Sequence, residues 1–302
     1  SDLAKAWGCE DRAIFVDLFD TDPSACTRDG KHPLTTLFDL LRDAGVQAIP
    51  TTGLDRDDSY QSAVSAIAGI DRRGVCLRML RDDLASGYAL SSALGDLLAR
   101  LNADRSQADL LMDFRQIDAA GAKDVAATAA KAVNGLAGVA EWRSLIFAAS
   151  NMPRSLREFP RDAVGSVPRV EFDVWRDIVG RGLKRTPSFG DYGVVHPDHI
   201  YADKTFNVSA SIKYTLEDRW LIARGQSLFG DRGYAQYYGL ARLLTKQKDF
   251  KGNDYNWANE EIENKAKRRG TTGNPTTWIS VGTHRHVTFV ASQVGETLAD
   301  AS

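Results

Sequence analysis

The chain has 302 residues, 43% hydrophobic and 26% charged, an ordinary balance for a folded protein with a sizeable core, which excludes global disorder. Its 38 Lys and Arg against 40 Asp and Glu leave a formal net charge of -2, so an extensive nucleic-acid surface is not expected. No signal peptide and no apolar run near the roughly 18 residues that span a bilayer occurs, so no membrane role is expected and the cytoplasm is the expected compartment.

In chain order, Ala13 to Leu18 is a short apolar run bounded by Asp, Pro and Gly, the pattern of a buried strand. His32 and Pro33 then open a helix with Leu34, Leu37, Phe38 and Leu41 on one face, and Gly45 closes it. The pattern repeats. Val46 to Pro50 is a strand, followed by a helix with Tyr60, Ala63, Val64, Ile67 and Ile70 at helical spacing and a stop at Gly74. Val75 to Leu80 precedes a helix carrying Leu90, Leu94, Leu97, Leu98 and Leu101. Asp109 to Phe114 precedes an alanine-rich helix through Val125, Ala129, Val133 and Leu136. Ser144 to Ala149 precedes a helix through Val170, Val174 and Ile178, and Pro187 to Val194 is a sixth, weaker strand.

Strands recur every 30 to 40 residues or so, the size of a strand-helix unit, and they are continuous apolar runs, as parallel strands covered on both faces must be. No strand is followed by GxGxxG or GxxxxGK[ST], which disfavours a doubly wound nucleotide-binding sheet and points to an α/β, TIM-type barrel. A closed barrel takes eight strands, and six are legible. Either a leading strand-helix-strand is missing, or Phe206 to Lys213 and Trp220 to Arg224 complete the wall. The latter two read as an antiparallel hairpin around Glu217 and Asp218, better suited to a closing flap. A helix over Tyr234 to Lys246, with Tyr238, Leu240, Leu243 and Leu244 on its apolar stripe, follows. Asn259 then reads as the N-cap of another helix with Glu260 and Glu261 in its first turn, before a last buried segment from Trp278 to Val290. Residues 1–200 thus carry the barrel units, and residues 201–302 are a hairpin and helical part of the same domain.

Barrel active sites lie at the C-terminal ends of strands, which here carry Asp17, Thr51, Thr52, Arg78, Asp113, Arg115, Ser150, Asp191 and Tyr192. Charged groups there must meet each other, water or a ligand. Asp113 and Arg115, two apart on a strand, point to one side and read as an ion pair or as ligand-binding groups. Aspartates from several strands suit a hard cation such as Mg2+, whereas arginines suit phosphate or carboxylate. Cys9, Cys26 and Cys76 have no metal or redox spacing and read as reduced thiols. His284 and His286 lack HExxH spacing and read as packing residues, and Lys265, Lys267, Arg268 and Arg269 as a basic helix C-terminus. No GxSxG elbow is present, which disfavours acyl chemistry.

The stretches Phe189-Gly190-Asp191-Tyr192-Gly193, Ile212-Lys213-Tyr214 with Trp220 and Arg224-Gly225, Phe250-Lys251-Gly252, Gly273-Asn274 with Trp278, and His284-Arg285-His286 resemble the phage beta protein family. So do Val16-Asp17-Leu18, Asp113-Phe114-Arg115 and Ser150-Asn151-Met152-Pro153. The resemblance implies a further strand-helix-strand ahead of the Asp17 strand, bringing six strands to eight. It also implies adjacent histidines where Arg285 intervenes here, a departure that weakens any metal role. In function it implies an anti-phage defence or mobile-element component that counteracts a killer protein, like an antitoxin, with a partner encoded in the same locus. Two readings result. In the first, the protein binds that partner, or a small anionic ligand such as a nucleotide or phosphate, at the barrel mouth through Asp17, Arg78, Asp113, Arg115, Asp191, Tyr192, Lys213 and Tyr214. In the second, Asp17, Asp113 and Asp191 hold Mg2+ in a phosphodiesterase or nuclease, with Arg78 and Arg115 on the phosphate.

Overall fold

Strand and helix alternate along the computed structural model, which describes residues 12–86, 88–198 and 208–300. In chain order the elements are β1 (Ile14–Val16), α1 (Pro33–Asp43), β2 (Ala48–Thr52), α2 (Asp58–Asp71), β3 (Val75–Leu80), the single turn α3 (Arg81–Ala85), α4 (Tyr88–Leu101), β4 (Ala108–Gln116) and α5 (Ala122–Gly135). Next come β5 (Ser144–Ser150), β6 (Ala163–Pro168), α6 (Val170–Val179), β7 (Ser188–Asp191), β8 (Ser209–Thr215), β9 (Arg219–Ser227), α7 (Gln236–Thr245), α8 (Trp257–Ala266) and α9 (Pro275–Asp300). Chain contacts divide the molecule into two units. The first comprises Ser1–Phe114, Asp124–Ala148 and Arg181–Gly190, and the second Arg115–Lys123, Ala149–Gly180 and Asp191–Ser302.

The first unit is built on a curled six-stranded sheet in the order β1-β2-β3-β4-β5-β7. All six strands expected from the apolar runs are present. The pairs β1–β2, β2–β3 and β3–β4 are parallel, the last running from Val75 opposite Ala108 to Leu80 opposite Asp113. Strand neighbours follow chain order without a reversal, unlike a doubly wound sheet. β1 and β7 stand at the two ends of this order, so among the described residues the sheet is a half-barrel and not the closed cylinder expected. β2 is buried at every position and β3 at all but its last, which explains their unbroken apolar character. The helices cover the sheet with the anticipated faces: Leu34, Phe38 and Leu41 of α1, Tyr60, Val64 and Ile67 of α2, and Leu90, Leu94, Leu97, Leu98 and Leu101 of α4 are buried. Ile70 is an exception, 65% exposed on the last turn of α2.

The second unit holds a three-stranded antiparallel sheet, β6-β9-β8. Its hairpin turns at Glu217 and Asp218 as expected, with Leu216 N–H bonded to the Arg219 carbonyl at 2.9 Å. The beginning of the expected Phe206 strand lies outside the described residues. β6 was not legible: Gly165, Ser166 and Pro168 interrupt the apolar residues of Ala163–Pro168, only Val167 of which is buried, and it pairs along β9 from Ala163 opposite Arg224 to Pro168 opposite Arg219. Helices α7, α8 and α9 close a core over β8 and β9 formed by Ile212, Tyr214, Ala223, Tyr237, Leu240, Ile262 and Trp278, in which Tyr237 and Trp278 stack at 5.3 Å. The N-cap of α8 is Asn256, not Asn259; its side chain accepts the Asn259 N–H at 3.0 Å, while Asn259 is buried. On α7 the buried stripe is Tyr237, Leu240, Ala241 and Leu244, displaced from the Tyr238 register. Residues 275–300 form one long helix, so His284 and His286 diverge around it.

Candidate functional site

In the first unit the strand ends assemble one charged cluster. Asp17 follows β1, Arg78 lies near the end of β3, Asp113 lies on β4 and Arg56 on the loop after β2. Asp17 Oδ2 accepts from Arg78 Nη1 at 2.8 Å and Asp17 Oδ1 from Arg56 Nη2 at 3.0 Å. Arg78 Nε and Nη2 both reach Asp113 Oδ2, at 2.8 and 2.5 Å. Phe19 underlies both guanidinium groups, its ring centre 4.0 Å from Arg78 Cζ and 4.8 Å from Arg56 Cζ. Tyr60 completes the wall by donating to the Thr51 carbonyl at 3.1 Å and accepting the Leu18 N–H at 3.1 Å; burial pushes its phenol up to about 12. A cleft of about 210 Å³ opens beside Phe19, His32, Arg56 and Tyr60.

Strand periodicity puts Asp109 on the same face as Asp113, four residues toward the opposite end of β4. There it accepts from Arg143 Nε at 3.0 Å and Ser144 Oγ at 2.6 Å. The two ends of this strand thus carry separate, internally neutralised clusters, and only the C-terminal one adjoins the cleft.

The second unit has a different polar centre, between the antiparallel sheet and α9. His286 stacks on Trp220 at 4.7 Å, with Nε2 2.7 Å from Asp191 Oδ2 and Nδ1 3.2 Å from Thr215 Oγ1. Burial works to raise the Asp191 pKa, but the His286 hydrogen bond and charge hold it below the ordinary carboxylate value. Hydroxyl, imidazole and carboxylate are in the order of a nucleophile relay. Thr215, however, is 0% exposed, which leaves a substrate no approach, so the triad ties α9 to the sheet. Beside it Arg169 Nη1 donates to the Leu216 and Glu217 carbonyls at 3.0 and 3.2 Å and to Gln293 Oε1 at 2.6 Å. Arg169 Nε is 3.5 Å from Glu171, whose carboxyl burial pushes up to about 7.

The expected site residues therefore divide. Asp17, Arg78 and Asp113 meet in the first unit. In the second, Asp191 joins His286; Arg115, at the left-handed φ of 51°, donates to Asp198 Oδ1 at 2.6 Å. Tyr192 follows β7 half-buried, its carbonyl accepting the Val195 N–H at 3.3 Å. Lys213 and Tyr214 face opposite sides of β8. Lys213 donates to the Val194 carbonyl at 2.6 Å, and burial lowers its ammonium pKa to about 8; the Tyr214 hydroxyl accepts from Lys251 N–H and Asn259 Nδ2, both at 3.1 Å. Asp17 and Asp113 are bound to Arg78, and Asp191 to His286. Among the described residues no group of three or more His, Cys, Asp or Glu is arranged to hold a metal ion. Sequence reasoning missed Arg56, Phe19, Arg169 and Glu171. Arg169 did leave a signal: a cation at the N-cap of α6 opposes the helix dipole, so another interaction must hold it there.

These features define a mixed α/β protein with a half-barrel parallel sheet, a second antiparallel unit, and polar centres built on arginine-carboxylate and histidine-carboxylate pairs. The chain belongs to the phage beta protein family: the family model described as Beta protein matches residues 1–292. No curated protein and no solved structure matches it. No helix among the described residues is long and apolar enough to cross a membrane.

Proposed function

We propose that the protein is a non-covalent binding component of a phage-associated defence or toxin-neutralising locus, engaging a partner protein from that locus, or a small anionic ligand, at the strand-end rim of the first unit. In this reading the half-barrel is part of a TIM-type wall and the rim is its mouth. One observation carries the proposal: Arg56 and Arg78 grip the Asp17 carboxylate from two sides while both stack on Phe19. An incoming carboxylate or phosphate, from an acidic partner segment or a nucleotide, would compete with Asp17 for Arg56, which lines the cleft and whose Nε has no hydrogen-bond partner among the described residues. The cation-dependent phosphodiesterase reading is disfavoured because its aspartates are engaged by Arg78 and His286.

Two measurements test the proposal, co-purification with the neighbouring gene products and a thermal-shift screen of nucleotides, each on wild type and Arg56→Met. A partner or nucleotide that binds wild type and is lost in Arg56→Met without a change in fold supports the assignment. Absence of any partner and any shift, or Mg2+-dependent turnover abolished by Asp113→Asn, would refute it.

A further inference from the structure

Arg285 is 0% exposed, and its Nε, Nη1 and Nη2 have no hydrogen-bond partner among the described residues. Its guanidinium carbon lies 4.6 Å from the Tyr214 ring centre, 4.6 Å from Tyr255 and 4.5 Å from Phe289. A guanidinium stays protonated in proteins and carries five N–H donors; ring faces attract its charge but accept little of that hydrogen bonding. Burying such a group with its donors unmet is unfavourable, and a native fold that tolerates it invites an explanation at that spot. Arg169, in the same unit, is a partial contrast: its Nε and Nη2 likewise lack hydrogen-bond partners among the described residues, but its Nη1 binds three acceptors, whereas no nitrogen of Arg285 binds any.

The surroundings supply the explanation. Two rings of the cage, Tyr255 and Phe289, are also walls of a cleft of about 550 Å³, so a single aromatic layer separates Arg285 from it. Leu216, Glu217 and Gln293, which hold Arg169, line the same cleft. Two buried guanidinium groups thus lie directly behind its walls, and Lys248 and Lys251 stand at its rim. Arg219 is committed to Asp218 and Asp249, and Glu217 and Glu296 offer acceptors for the N–H or O–H groups of a bound molecule. Tyr255 is 37% exposed on the segment before α8, the member of the cage closest to solvent.

We propose that this cleft is an anion-binding site separate from the rim of the first unit, taking a small organic phosphate or carboxylate that carries a planar ring. The ring packs against Phe289 and Phe250, Tyr255 swings aside, and the anionic group meets the unpaired fork of Arg285. The cleft is large enough for a ligand the size of a mononucleotide.

Calorimetric titration of the full chain with AMP, inorganic phosphate and adenosine tests this, with Arg285→Met, Arg285→Lys and Tyr255→Ala alongside wild type. Wild type should bind AMP at least tenfold more tightly than adenosine. Arg285→Met should abolish that preference while its melting temperature stays level or rises, because an unpaired buried charge has been replaced by an apolar side chain of similar length. Arg285→Lys should retain part of the preference, and Tyr255→Ala, with Arg285 uncovered, should take up inorganic phosphate more tightly than wild type. If neither wild type nor Tyr255→Ala binds AMP or phosphate, or if Arg285→Met leaves AMP binding unchanged, the site does not exist as described. Tyr255→Ala keeps the test decisive should Arg285→Met fail to fold.

Discussion

Arg78 neutralises two carboxylates that different strands bring to it, and Asp113, 2% exposed, has little water to fall back on. Breaking a buried pair from one side costs far more than replacing both partners. Arg78→Met should therefore lower the unfolding free energy by about 3–5 kcal/mol, with part of the loss recovered in Arg78→Met/Asp113→Asn. Urea denaturation of both variants measures this, and equal losses would contradict it. Glu171 acts in the opposite sense. Burial, only partly offset by Arg169, raises its carboxyl from the ordinary 4.5 to about 7, so the native state holds this proton more tightly than the unfolded chain. Its contribution is full below about pH 4.5 and is lost as pH rises through 7, by about 3 kcal/mol. The difference in stability between wild type and Glu171→Gln, followed by denaturation from pH 4.5 to 8, should trace that decline; a flat difference would show that Glu171 titrates normally.

At the scale of elements, the β3–β4 pair depends on Gly74. It has φ +73°, and a Cβ there would lie 1.8 Å from the Gln107 carbonyl oxygen. Gly74→Ala combines left-handed strain with a backbone clash and should destabilise by more than about 2 kcal/mol, read as a lower urea midpoint. Asn256→Ala removes the side-chain cap of α8 and should cost about 1 kcal/mol in the same assay. The parallel strands were legible because burial on both faces forces continuous apolar runs, as in Val75–Leu80. β6 was not, because its strand character comes from pairing with β9, a partner more than fifty residues downstream. The displaced cap at Asn259 has a similar origin: Tyr214 and the Gly252 carbonyl take up its side chain, leaving Asn256 to cap.

For the whole molecule, the two units interleave along the chain, so no single cut releases either intact. A fragment of residues 201–302 lacks β6, Arg169 and Asp191. It exposes one edge of β9, unpairs the Leu216 and Glu217 carbonyls, and removes the carboxylate that His286 binds. Expressed alone it should give a collapsed amide NMR spectrum and no cooperative thermal transition; a dispersed spectrum would mean those interactions are dispensable. The candidate rim was half legible. Asp17, Arg78 and Asp113 stood out because charge at the end of an apolar strand must find a partner, whereas Arg56 and Phe19 lie in loops whose composition names no destination. By itself the sequence determined where the six strands, their covering helices and the hairpin lie along the chain, since each is written in local periodicity and turn chemistry. Which carboxylate each arginine holds, that Asp191 serves His286, and that Arg285 is buried among aromatic rings were decided only by tertiary structure. Those pairings join residues distant in the chain, and their energies depend on burial and separation that no local pattern encodes.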